Sequence, residues 1–224
     1  MSQGFTMQAS LPRANRFLDE PIGLPARLTL LVAAALLITT YVLPLWNLTM
    51  FAPQYPDGLR LDIYSHTLVG GNNGQDIKEI NVLNHYIGMQ DLMNESFTEF
   101  KWMPFVIGSL ALLILRAAVH GTVVALVDVT VLFLYFGGFS LWSFGSTLYR
   151  YGHDLSPAAA VRVPPFMPPL FGYRQIANFE VYSYPRFATY AMAGAGVLLV
   201  AVLVWTWWNA RRRVRLAAPD RGTG

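Results

Sequence analysis

Four apolar runs, each long enough to cross a lipid bilayer, constrain the fold of this sequence more than any other feature. A membrane-spanning helix needs roughly 20 apolar residues, because each residue adds about 1.5 Å and the hydrocarbon core is about 30 Å thick. The runs cover residues 24–46, 103–119, 122–144 and 187–208. Charged residues make up only 13% of the 224 positions, about half the share of a soluble protein. The sequence therefore predicts an all-α, multi-pass membrane protein with four transmembrane helices.

The distribution of arginine predicts the orientation of these helices. An even number of spans places both termini on one side, and cytoplasmic flanks carry an excess of Lys and Arg. The densest basic cluster, RRRVR at 211–215, directly follows the last apolar run. We therefore expect the tails 1–23 and 209–224 in the cytoplasm of a bacterium and the spans in its inner membrane. The loops 47–102 and 145–186 then face the extracytoplasmic side.

The two outer loops differ in the structure that they predict. Within 47–102, apolar and polar residues alternate over 59–64, which predicts a strand in a short hairpin. The stretch QDIKEINVLNHYIGMQDLM at 75–93 has apolar residues at helical spacing, so we expect an amphipathic helix on the membrane surface. Loop 145–186 is rich in proline and aromatic residues, which argues against a regular helix and against a disordered linker. We expect it to pack against the first loop or against a partner.

The candidate metal ligands are His85, Met89 and Met93, which follow one another at intervals of four residues. On a helix this spacing places all three along one face. Imidazole and thioether groups together favour copper, Cu(I) especially, so copper is the cofactor that this pattern suggests. The alternative is that both methionines are core residues and that His85 is a surface side chain, because Met fills irregular gaps without any metal. Both interpretations stay open.

Other cofactors and functions are excluded by residue types that are missing or misplaced. The chain contains no cysteine, so iron–sulfur clusters, thiolate metal sites and covalently attached haem are not expected. A haem between helices needs histidines inside the membrane, and the histidine nearest a span, His120, lies at the predicted cytoplasmic turn. Walker, HExxH and GxSxG sequences are absent, so we expect no enzymatic activity. A net charge of +3 without a basic stripe argues against a nucleic-acid partner.

Two charged residues interrupt the apolar runs of the predicted hairpin. Arg116 lies four residues before the turn at His120 and Gly121, and Asp128 lies about seven residues into the next run. At about 1.5 Å per residue their depths differ by only a few Å, so the long arginine side chain can reach the carboxylate. We expect an intramembrane pair that fixes the hairpin. The alternative is a proton or ion pathway, because a carboxylate in lipid is costly and often functional.

Three stretches of the outer loops carry a family resemblance. They are YPDGLRLDIY at 55–64, EINVLNHYIGM at 79–89 and PPFMPPLFGYRQIANFEVYSYP at 164–185. In these stretches and in its four-span layout, the chain resembles the NosB-like membrane proteins encoded beside atypical (clade II) nitrous-oxide reductases. The resemblance implies an accessory protein for a periplasmic copper enzyme, with that reductase or its copper-delivery and electron-donating proteins as partners. It brings no established functional residues, but the copper association favours metal contact at His85 and Met89.

These features support three functional hypotheses. The first is a non-enzymatic assembly or copper-handling factor in nitrous-oxide respiration, which presents loops 47–102 and 145–186 to a periplasmic or membrane protein. The second is a structural subunit of a larger membrane complex without metal, in which the aromatic residues of the second loop form the interface. The third is a quinol-linked electron- or proton-transfer subunit that depends on Arg116 and Asp128.

Overall fold

The computed structural model describes residues 17–176 and 178–216. Three strands follow the first helix, three helices follow these strands, and two further strands precede the last helix, with short 3-10 turns at Thr39–Tyr41, Asn72–Gly74 and Asn94–Ser96. In chain order the elements are α1 (Leu24–Ile38), β1 (Trp46–Ala52), β2 (Tyr55–Ile63), β3 (Leu68–Gly70), α2 (Gln75–Ile87), α3 (Glu99–His120), α4 (Val123–His153), β4 (Gly172–Ile176), β5 (Phe179–Pro185) and α5 (Phe187–Leu216).

Four helices within the described ranges are long and apolar enough to cross a membrane, namely α1 with its 3-10 turn, α3, α4 and α5. The prediction of four apolar spans is confirmed at this level. Between 28% and 33% of each apolar stretch is buried inside the protein. Most of the remaining apolar surface therefore needs lipid or another protein around it, as expected of a multi-pass membrane protein.

A five-stranded antiparallel sheet, counted over the described residues, shows that the all-α prediction is wrong. The strand order is β3-β2-β1-β5-β4. The central strand β1 pairs with β2 of the same loop and with β5 of the second loop, with Trp46 opposite Pro185 and Phe51 opposite Glu180. The two loops therefore contribute to one sheet, because each supplies backbone partners that the other loop needs.

The second loop forms two strands despite its high proline content, because its prolines lie outside the paired interior of these strands. The prolines at 164, 165, 168 and 169 all precede β4, and Pro185 is the last residue of β5. The stretch between them alternates in burial, with Val181 and Ser183 buried and their neighbours not. This period of two is an ordinary strand signal. The high proline content of the whole loop hid it.

One face of the sheet packs into a hydrophobic core. Leu48, Leu59 and Leu61 point to this side and meet Ile80 from α2 and Phe97 from the segment before α3. Because side chains alternate along a strand, the residues between them belong to the opposite face. The core thus fixes which face of the sheet remains available for other contacts.

The described chain falls into two compact units. A helical unit comprises residues 17–35, 109–134 and 194–216, and a sheet unit comprises 36–108 and 135–193. All of the sheet and the core described above belong to the second unit.

In the helical unit, the segment before α1 holds the turn between α3 and α4. The backbone N–H of Ile22 donates to the carbonyl of Gly121 over 2.7 Å, and the Arg27 guanidinium donates to the carbonyl of Val119 over 3.3 Å. Gly121 has a φ of 65°, a left-handed conformation that favours glycine, and it lies against the Arg27 side chain. The tight turn predicted at His120 and Gly121 is formed in this way.

Candidate functional site

The three candidate metal ligands do not share a helix face. Helix α2 ends at Ile87, two residues before Met89, and Met93 has an extended backbone with φ −117° and ψ 138°. The predicted helical alignment of His85, Met89 and Met93 is therefore wrong. Its physical cause is Gly88, which adopts a left-handed conformation with φ 82° and stops the helix.

The end of α2 has the hydrogen bonds of a Schellman motif. The N–H of Gly88 donates to the carbonyl of His85 over 3.2 Å, and the N–H of Met89 donates to the carbonyl of Asn84 over 2.8 Å. A hydrophobic contact between the residue after the glycine and the last turn of the helix commonly accompanies this motif. Here Met89 and Leu83 both pack against the sheet core. The backbone conformation at the end of the NHYIGM stretch is therefore that of a helix end.

The same helix end also joins the two loops. The carbonyl of Gly88 accepts a hydrogen bond from the N–H of Ser156 over 2.8 Å, and the carbonyl of Tyr86 accepts one from Val161 over 3.1 Å. A Cβ added to Gly88 would lie 2.9 Å from the carbonyl oxygen of Ser156. Gly88 is therefore needed both for its conformation and for the close approach of the second loop.

The structure separates the candidate ligands by environment. The Met89 side chain is partly buried against the core, whereas His85 is exposed and Met93 is 52% exposed. A surface cavity of about 420 Å³ is lined by Gly88, Met89, Gln90, Asp154, Leu155 and Ser156. In the described ranges, no three His, Asp or Glu side chains lie close enough together to share a metal ion. Copper binding through His85 and the methionines stays a prediction.

The expected intramembrane pair is not joined as an ion pair either. Arg116 and Asp128 both lie in the described part of the chain, and both side chains are exposed at the surface of the helical unit. Among the described residues, an ion pair joins Arg60 to Asp62 in the sheet unit, and none joins Arg116 to Asp128.

The face of the sheet that lies away from the core carries a row of polar and aromatic side chains. Thr49 lies opposite Arg60 on β2 and opposite Tyr182 on β5, and Tyr182 lies opposite Tyr173 on β4. Directly opposed residues point to the same side of a sheet, so this row crosses four strands on the face away from the core. Together with Tyr184, two residues along β5, these side chains form what we call the tyrosine face.

Aromatic rings cover one half of the tyrosine face. The rings of Tyr173 and Tyr182 lie 5.0 Å apart, and Phe51 meets Tyr182 edge-on at 5.6 Å. Phe171 stacks edge-on against Tyr184 at 5.5 Å. Tyr173 is nevertheless 50% exposed and Tyr184 44% exposed. The rings therefore hold one another in place while leaving much of their surface open.

A polar network forms the other half of this face. The buried carboxylate of Asp62 accepts a hydrogen bond from the Asn47 amide over 2.9 Å and pairs with the Arg60 guanidinium. Thr49 donates to the Asn47 amide oxygen over 2.9 Å. The hydrogen bond from Arg60 to Asp62 also raises the pKa of Arg60. Arg60 thus remains a fixed cation on the open side of the sheet.

Tyr182 connects the aromatic half to a carboxylate. Its hydroxyl donates to Glu180 over 3.3 Å. Partial removal from water is the first cause that raises the pKa of Tyr182, and the negative charge and hydrogen bond of Glu180 raise it further. The phenol therefore stays protonated and keeps its capacity to donate a hydrogen bond.

No protein-family model, curated protein or solved structure matches this chain. Its function is therefore inferred from the geometry of its own residues. The tyrosine face, which that geometry favours most, was not predicted from the sequence. The signal available in advance was the alternation of Glu180, Tyr182 and Tyr184 with Val181 and Ser183.

Proposed function

We propose that this chain is a non-enzymatic accessory membrane protein that docks a protein partner on the tyrosine face of its sheet. The observation that carries the proposal is the combination of exposed tyrosines and an anchored arginine on one side of a sheet whose other side is a packed core. Tyrosine and arginine are enriched in protein interfaces and at their energetic hot spots.

The sheet is well suited to docking because its neighbouring strands β1 and β5 are joined by backbone hydrogen bonds where each connects to a spanning helix. The N–H of Arg186 donates to the carbonyl of Leu45 over 2.8 Å, and the N–H of Ala188 donates to the carbonyl of Pro44 over 3.1 Å. These bonds join the chain entering β1 to the chain leaving β5. A surface held in this way loses little conformational entropy when a partner binds.

The arginine distribution supports an extracytoplasmic position for this sheet. The cluster at 211–215 follows α5, which is the arrangement expected of a cytoplasmic flank. If both termini lie on the cytoplasmic side of a bacterial inner membrane, the sheet faces the periplasm. The partner would then be a periplasmic protein or the outer-facing part of a membrane protein.

The resemblance to NosB-like proteins supports a partner from nitrous-oxide respiration, either the copper-containing reductase or a protein that supplies it with copper or electrons. Copper handling by this chain is the weaker part of that hypothesis. His85 lies on α2, Met89 follows its end and Met93 lies on an extended segment, and Met89 packs partly against the core.

Site-specific photo-crosslinking in intact cells tests the proposal. A photoreactive amino acid at Tyr173 or at Tyr184 should give an adduct with the same partner protein, identified by mass spectrometry. The matched control is Val82, which is 63% exposed on α2 and lies outside the tyrosine face. Adducts of equal yield at Val82, or none at the two tyrosines, would reject docking on this face.

Two further readouts separate docking from the identity of the partner. Arg60→Ala should lower the crosslinking yield at Tyr173 roughly tenfold, as expected for an arginine in an interface hot spot. The reductase or one of its copper or electron suppliers in the adduct would support the family resemblance. A different protein, captured with the same dependence on Arg60, would support docking and reject a role in nitrous-oxide respiration.

A further inference from the structure

Asp128 is an unpaired carboxylate within an apolar, outward-facing helix surface. Its neighbours on the exposed side of α4 are Val124, Val131 and Leu132, which are 40%, 58% and 48% exposed. The opposite side of this part of α4 is fully packed, with Leu126 and Val129 buried. A carboxylate that faces lipid is costly, and such residues almost always face protein or water in assembled membrane proteins.

A complementary charge lies at the same depth on the neighbouring helix. Arg116 is four residues before the end of α3 at His120, and Asp128 is five residues after the start of α4 at Val123. At 1.5 Å per residue these positions lie about 6 Å and about 7.5 Å from the helix ends that meet at the turn. Both side chains are exposed and no ion pair joins them within the described chain.

Exposure to lipid costs Asp128 more free energy than it costs Arg116. The long side chain of Arg116 can extend to the membrane surface and keep its charge in water. The short side chain of Asp128 cannot do so. Asp128 is therefore the residue that requires a partner, and the partner must supply a cation or hydrogen-bond donor at its depth.

We propose that a second copy of this chain covers the exposed faces of α3 and α4, with Arg116 of each copy paired to Asp128 of the other. A two-fold axis along the membrane normal keeps every residue at its own depth and places α3 of one copy opposite α4 of the other. The interface is then isologous and forms two identical pairs. It does not depend on the tyrosine face.

The absence of cysteine from the chain allows a direct test in membranes. One tagged copy carries Arg116→Cys, and a differently tagged copy carries Asp128→Cys. When the two are co-expressed, the mixed dimer brings the two thiols together and keeps the second charge pair intact. Each variant expressed alone has neither a charge pair nor a matched thiol. We expect an oxidant or a short bismaleimide to give roughly tenfold more dimer from the mixture, the factor expected from an interhelical polar contact of ordinary strength.

Two controls make the outcome decisive. Asp128→Cys co-expressed with Val197→Cys, a 67% exposed position on α5, should give no more dimer than either variant alone. The double variant Arg116→Cys/Asp128→Cys on one chain reports pairing within a copy. If the two cysteines of that double variant crosslink within one monomer, and the mixed single variants give no dimer, the proposal is overturned in favour of an intramolecular pair. Dimer of equal yield with Val197→Cys would overturn it as non-specific proximity.

Discussion

The end of α2 and the tyrosine face differ in what the fold does with their side chains. Residues 84–89 contain the His, Asn and Met that suggest a binding site, yet Gly88 and Met89 are used in the helix end and the core. The tyrosine face comes partly from a loop that its prolines made unpromising, and it leaves Tyr173 and Tyr184 open. Residue types indicate chemistry, but only the fold decides which side chains remain free to perform it.

The first way to test this contrast is to break the helix end. Gly88→Ala places a Cβ on a left-handed residue and 2.9 Å from the Ser156 carbonyl. We expect it to lower the free energy of unfolding by about 2–3 kcal/mol, since the backbone conformation alone costs roughly 1–2 kcal/mol and the close contact adds to it. The midpoint of thermal unfolding in detergent, with intact wild type as reference, measures the change.

Gly74 provides the matched control for that substitution. Its φ of 87° is similarly left-handed, but a Cβ there would meet nothing within 4 Å. Gly74→Ala should therefore cost only the conformational part, roughly 1–2 kcal/mol. Equal losses for the two variants would mean that the contact between Gly88 and the second loop contributes nothing to stability.

The two methionines sharpen the comparison between packing and metal binding. Met89 is partly buried against the core, whereas Met93 is exposed. Met89→Ala should destabilise the protein by about 1–2 kcal/mol, and Met93→Ala by no more than about 0.5 kcal/mol. Thermal unfolding of the two variants, side by side, measures the difference.

Copper loading followed by washing and metal analysis completes that test. Because Met89 is engaged in the core, we expect the wild type and the double variant His85→Ala/Met89→Ala to retain the same amount of copper. Stoichiometric copper in the wild type, lost in the double variant, would contradict this expectation. It would restore the copper-handling hypothesis.

Features governed by local composition were predictable from the sequence. The four apolar helices follow from run length, and the turn after His120 follows from the two residues available to form it. The strand predicted over 59–64 follows from alternation of apolar and polar residues, and residues 59–63 form the end of β2. In each case the residues that determine the structure lie next to one another in the chain.

Features governed by distant partners were not predictable. The pairing of β1 with β5 joins residues more than a hundred positions apart, such as Trp46 and Pro185. Helical spacing continues in the sequence to Met93, but the left-handed Gly88 ends α2 at Ile87. The alternation over residues 180–184 indicates a strand, but the tyrosine face forms only once that strand has paired with β1.

The smallest expected effect concerns the hydroxyl of Tyr182. Shielding from water and the nearby Glu180 raise its pKa above the ordinary value of about 10. Since the folded pKa is raised, any stabilisation of the fold or of the docked complex by the neutral phenol is complete below about pH 10 and is lost as the pH rises through the folded pKa. The difference in tyrosinate absorbance between the wild type and Tyr182→Phe should therefore appear at higher pH than for free tyrosine. Glu180→Gln should move it back down. An equal pKa of Tyr182 in the wild type and in Glu180→Gln would show that the carboxylate does not bind this hydroxyl. The aromatic contacts would then be what orders the tyrosine face.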